Sequence, residues 1–120
     1  RALQLTVDCA AGDAETTCQF GANKQSLNWT AVAGATRYNV YRGPQTNLVD
    51  ANLDHLPDGG YGTCQNSRET ILTDTTFLDT DVPSVAQKGF FYLVSYTSGV
   101  EKGLGTNSFG TPRTVAAPCP

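Results

Sequence analysis

Polar and apolar residues alternate with period two in several short stretches of this 120-residue chain. The clearest is LNWTAVAGATRYNVYRG, residues 27–43. There Leu27 and Trp29 alternate with Ser26, Asn28 and Thr30, and Tyr38 and Val40 alternate with Arg37 and Asn39. Successive side chains of an extended strand point to opposite faces, so the pattern predicts two half-buried strands. Ala33-Gly34-Ala35 predicts the turn between them, and the unit reads as a hairpin. Phe90 to Tyr96 is apolar on both faces: Phe90, Tyr92, Val94 and Tyr96 on one, Phe91 and Leu93 with Ser95 on the other. That predicts a central strand covered on each side. Weaker alternation predicts strands over Leu3–Val7, Gln19–Asn23 around Phe20, Thr70–Leu72, Thr76–Asp79 with Phe77 inward, and Leu104–Asn107. A single helical turn is expected near Asn47–Asp50, and no segment carries a sustained helical period. Short strands with turn signals about every 8–12 residues predict an all-β chain, an antiparallel two-sheet β-sandwich of about seven strands.

Composition narrows the compartment. Only 16% of residues are charged, and the formal net charge is −3. Arg37, Arg42, Arg68 and Arg113 are scattered rather than clustered. Nucleic-acid binding needs a basic footprint, so it is not expected. No apolar run approaches the 18 or so residues of a spanning helix. Nothing signal-like opens the chain, which reads as a mature or excised form. Four cysteines and no methionine point to an oxidising compartment, hence a secreted or cell-surface location. Cys9 and Cys18 are too far apart for a zinc knuckle, and the lone His55 is remote from both. Disulfides are therefore expected. Of three connectivities, the favoured one pairs Cys9 with Cys18 and Cys64 with Cys119. Chain entropy gives these about 2.7 and about 4 kcal/mol as ceilings.

Residues 44–67 are long, polar and rich in Asn, Asp, Gly and Pro, which is loop chemistry. Within them Asp50, Asn52, Asp54 and Asp58 stand at the spacing of oxygen ligands in a calcium loop, with Leu56 placed to offer a carbonyl. His55 replaces the usual glycine and Tyr61 replaces the bidentate glutamate. The competing reading is a solvated acidic loop. Asp74, Asp79 and Asp81 invite a glycosidase reading, which needs paired carboxylates about 5–10 Å apart. Asx-type turn formation explains Asp79 and Asp81 better. His55 stands in a loop with no nucleophile elbow, so no triad is expected. Asn28-Trp29-Thr30 matches a glycosylation sequon but falls inside a strand. Among aromatics, Tyr41 and Phe91 are expected to fill the second face of their sheet, and Tyr61 and Phe109 to be exposed interface residues.

The chain resembles fibronectin type III domains of the divergent bacterial kind found in secreted and surface proteins. The likeness is carried by LNWTAVAGATRYNVYRG (27–43), TTFLDTDVP (75–83), GFFYLVSY (89–96) and LGTNSFGTPR (104–113). It implies a fibronectin III/immunoglobulin-like sandwich over 20–113, with Trp29 in strand B, Tyr38 and Val40 in strand C, and 90–96 as strand F. Residues 1–19 would be an extension with an added strand, and 114–120 a Pro-rich tail pinned by a disulfide. The family's corner tyrosine falls on Phe90, which has no hydroxyl to bond back. The resemblance implies a non-enzymatic module: a spacer, an adhesion unit, a carbohydrate-binding accessory, or a filament subunit that docks on neighbouring modules or copies of itself.

Overall fold

The computed structural model describes residues 7–8, 18–20, 25–69, 71–104 and 109–120. Its strands are β1 (Val7–Asp8), β2 (Cys18–Phe20), β3 (Ser26–Trp29), β4 (Arg37–Pro44), β5 (Thr63–Cys64), β6 (Thr76–Leu78), β7 (Phe90–Ser98) and β8 (Val100–Lys102). Only short 3-10 turns interrupt them, one at Gln45–Leu48 close to the expected helical turn. The chain is all-β, in two sheets. One runs β2-β3-β6; the other runs β1-β7-β4-β5, with β8 also on β7. All pairings are antiparallel except β1 with β7, where Val7 stands opposite Tyr92.

β4 and β7 form the backbone of the larger sheet, paired from Arg37↔Thr97 to Pro44↔Phe90. Their alternation sorts side chains onto two faces. Tyr38, Val40, Tyr92 and Val94 meet Leu27, Trp29 and Phe77 of the smaller sheet in one buried cluster, with Val32 at its edge. Burying each such side chain contributes about 1.5–3 kcal/mol before entropy is subtracted. Trp29 packs edge-on against Tyr38 at 5.5 Å between ring centroids. The Val32 N–H donates to the Tyr38 hydroxyl at 2.7 Å, which fixes the crossing between sheets.

That crossing corrects the hairpin reading of residues 27–43. β3 and β4 lie in different sheets and do not pair with each other. Trp29 and Tyr38 face one another across the core, because both must bury an aromatic face and only opposed sheets allow it. One further expectation shifts. Ile71 and Leu72 form no strand, although the Leu72 carbonyl accepts the Tyr38 N–H at 2.9 Å; Thr70 lies outside the described residues. After the turn at Gly99 the chain pairs at once with β7 over Val100–Lys102; of the strand expected over Leu104–Asn107 only Leu104 is among the described residues, and it belongs to no strand. Leu3, Leu5, Cys9 and residues 105–108 are outside the described residues, and the Cys9–Cys18 pairing with them.

The other face of the larger sheet is covered without a third sheet. Tyr41 and Leu93 pack with Tyr61 from the loop and Cys119 from the tail, flanked by Cys64, Leu104 and Val115. Phe91 is fully buried on this side. The Cys64–Cys119 disulfide, with Cα atoms 5.2 Å apart, ties loop to tail. This cover is why β7 reads as apolar on both faces.

Candidate functional site

The connection from β4 to β5 carries most of the chemistry singled out by the sequence. Asp50 is fully buried, and oxygens of Asp50, Asp54 and Asp58 come within 4.8 Å of one another. Such a set could hold one hard cation such as calcium. The same oxygens also close the loop on itself. Asp50 accepts the Asp54 and His55 N–H groups at 3.1 and 3.2 Å. Asp54 accepts the Leu56 N–H at 2.9 Å, and Asp58 accepts that of Ala51 at 3.1 Å. Asn52 is exposed, and its Oδ1 accepts the Asp54 N–H at 3.3 Å. Leu53 and His55 adopt positive φ, 59° and 68°, to let these bonds form.

Beside this loop is a cleft of about 490 Å³. One wall is Leu56, Pro57 and Gly59 to Thr63; the other is the tail from Thr114 to Ala117. Gly62 sits at its base with φ 94°, and a Cβ there would lie 2.7 Å from the Arg42 backbone. Only glycine allows β4 and the loop to approach so closely.

Tyr61 is buried at 4% exposure, which corrects its reading as an exposed interface residue: its ring is needed to cover Tyr41 and Leu93. Phe109 is exposed, at 43%, but its ring stacks on His55 with centroids 4.1 Å apart. Tyr41 and Phe91 fill the second face as expected, both fully buried.

The strongest electrostatic centre lies elsewhere. Asp79, with its side chain 1% exposed, is paired with Arg42 at 2.7 Å and Arg68 at 3.3 Å. Asp81 pairs with the same two arginines, at 2.9 and 3.3 Å. The Tyr92 hydroxyl donates to Asp79 at 2.6 Å, and the Asp81 N–H donates to it at 3.0 Å. Burial alone would raise the Asp79 carboxyl. Bonds from Tyr92, Arg42 and the Asp81 backbone, with the Arg42 charge, outweigh it and hold the carboxyl below its ordinary range. Burial and the bond to Asp79 push the Tyr92 hydroxyl up. Arg42 also lies 4.2 Å over the Phe90 ring. The turn-forming role expected of Asp79 is present in the Asp81 bond. The arginine partners were not foreseen, because sequence shows no run of basic residues here. The bond back from β7 comes from Tyr92 rather than from position 90, and reaches the side chain of Asp79.

A second polar network lies under the tail. Asn39 donates to Ser95 and Thr97, both at 3.1 Å, and Ser95 and Tyr41 each donate to Glu101 at 2.6 Å. The Cys119 N–H donates to the Tyr41 hydroxyl at 2.9 Å. Burial and the bond to Glu101 push the Tyr41 hydroxyl up, so it stays protonated and joins sheet to tail.

Comparison with protein-family models, curated proteins and solved structures gave no match. Among the described residues no helix is long and apolar enough to cross a membrane.

Proposed function

We propose that this chain is a fibronectin type III-like β-sandwich acting as a non-enzymatic extracellular structural and interaction module, a subunit of a surface filament or appendage. The strand order supports the architecture: a three-stranded sheet against a larger one centred on β4 and β7, sharing a core at Trp29. The Cys64–Cys119 bond supports an oxidising location. The observation that carries the functional reading is the free side of β6. Among the described residues β6 pairs only with β3. Leu78 on it is 55% exposed, and Val82 and Val85 in the following connection are 87% and 96% exposed. An edge strand offers unpaired N–H and C=O groups to another chain, and adjacent aliphatic side chains supply apolar area to bury. The partner is a neighbouring module or a further copy of the chain. The Pro-rich tail packs on its own sheet through Val115 and Cys119.

The acid and base groups lend no support to catalysis. Asp79 and Asp81 are consumed by Arg42 and Arg68, and Glu101 by Tyr41 and Ser95. A second reading, a carbohydrate-binding accessory, draws on the 490 Å³ cleft. Sugar sites usually add an exposed aromatic platform. Phe109 is the one exposed aromatic among the described residues, and it is engaged with His55. Light scattering after size exclusion tests the first reading: the chain self-associates or captures its neighbouring module, and Leu78→Lys abolishes the contact. A strict monomer that binds sugars on a glycan array would replace it with the second.

A further inference from the structure

We infer that the Cys64–Cys119 bond is a redox latch on a C-terminal strap, and that opening it uncovers the outer face of the larger sheet while the inter-sheet core stays intact. The strap, residues 113–120, joins no strand of either sheet. Its non-covalent hold is made by side chains reaching its backbone rather than by a strand ladder. The Cys119 N–H bonds the Tyr41 hydroxyl, Arg37 reaches the carbonyls of Cys119 and Pro120, and Arg113 donates to the Leu104 carbonyl at 3.1 Å. Val115 and Cys119 are its residues in the outer apolar cluster. An irregular chain end outside the sheet ladders opens locally unless it is tied down. The disulfide is that tie. Beneath the strap lie Tyr41 and Leu93, both fully buried, and Tyr61. The strap also forms one wall of the cleft, through Thr114 to Ala117, so opening the bond frees that wall.

The two apolar clusters share no residue. Trp29 belongs to the inter-sheet cluster, whereas Tyr41, Tyr61, Leu93 and Cys119 form the outer one. β4 and β7 stand between them with their long ladder intact. Loss of the strap therefore need not disturb Trp29. A dithiol opens the latch by exchange. Its thiolate attacks one sulfur of the Cys64–Cys119 pair, that S–S bond breaks, and a mixed disulfide forms. The reductant's second thiol then closes its own disulfide, leaving two cysteine thiols. Two electrons and two protons pass to the protein. Cys64 is the more exposed half and the point of attack.

The test uses the full chain with Cys64→Ala and Cys119→Ala together, which removes this bond alone. Hydrogen exchange is followed along the chain, with emission from Trp29, the single tryptophan, and binding of a dye for apolar surface. The latch predicts that residues 113–120 lose protection and that dye binds, while Trp29 emission stays that of a buried indole. Protection of 113–120 equal to wild type would show the strap seated without the bond and overturn the inference. So would emission of an exposed indole, which would make the bond a support of the whole fold. Reduced wild-type chain, on reoxidation, regains protection of the strap; failure to regain it also counts against a reversible latch.

Discussion

Asp79 shows what one residue does here. Four donors, three of them from other parts of the chain, end on a carboxylate that is almost wholly buried. Removing the buried charge leaves Arg42 and Arg68 with only the half-exposed Asp81 between them, so Asp79→Asn is expected to cost about 3 kcal/mol in urea unfolding. Tyr92→Phe removes one hydrogen bond to a charged acceptor and is expected to cost about 1.5–3 kcal/mol. The pH dependence follows from the direction of the shift. A carboxyl lowered on folding stabilises above the ordinary range near 4, and that contribution is lost as pH falls through the folded value. Acid unfolding of wild type should therefore be steeper below about pH 4 than that of Asp79→Asn. In the acidic loop, carboxylates face one another rather than arginines. Asp50, Asp54 and Asp58 repel one another, and Asp58→Asn keeps an acceptor for the Ala51 N–H while removing one charge. In calcium-free buffer it should stabilise by about 0.5 kcal/mol, roughly 2 °C in Tm. A fall in Tm on the same substitution, seen only with calcium present, would identify the loop as a cation site. Little of this was legible in the sequence. Asp79 could be read as a turn former from its neighbours, but Arg42 lies 37 residues away and periodicity says nothing about such partners. Tyr61 was misread for a related reason: loop composition predicts exposure, and what buries Tyr61 is a tail that returns from the far end of the chain.

At the scale of elements, alternation located the strands better than it located their pairing. Trp29, Tyr38, Val40, Phe77, Tyr92 and Val94 all point into the shared core as their period requires. The wrong inference was that two strands joined by a short turn must be neighbours in one sheet. A small-residue turn serves equally well to cross between sheets, and the choice is made by which faces need covering. β8 shows where alternation gives no signal. Val100, Glu101 and Lys102 carry no apolar alternation, because the strand lies on an edge and its exposed side chains need none. The approach of β5 to β4 gives a sharp test. Gly62→Ala adds a Cβ against the Arg42 backbone at positive φ and is expected to destabilise by about 2–3 kcal/mol in thermal or urea unfolding. Gly60→Ala, also at positive φ but with open space around it, should cost only the backbone term of about 1 kcal/mol.

For the whole molecule, the two faces of the larger sheet have different fates. One is sealed by a second sheet, the other by a loop and a strap joined through Cys64 and Cys119. That division leaves the smaller sheet's β6 edge, with Leu78 and the nearby Val82 and Val85, as the surface on which the proposed module meets a partner. The test nearest to that claim is electron microscopy of the chain in its native material, with the β6 edge marked by an antibody fragment raised against residues 78–85. The account predicts ordered copies in a filament or appendage with that edge buried, so the fragment labels free chain but not the assembly. Free, unassembled chain in the native material, or an assembly that the fragment decorates along its length, would contradict it.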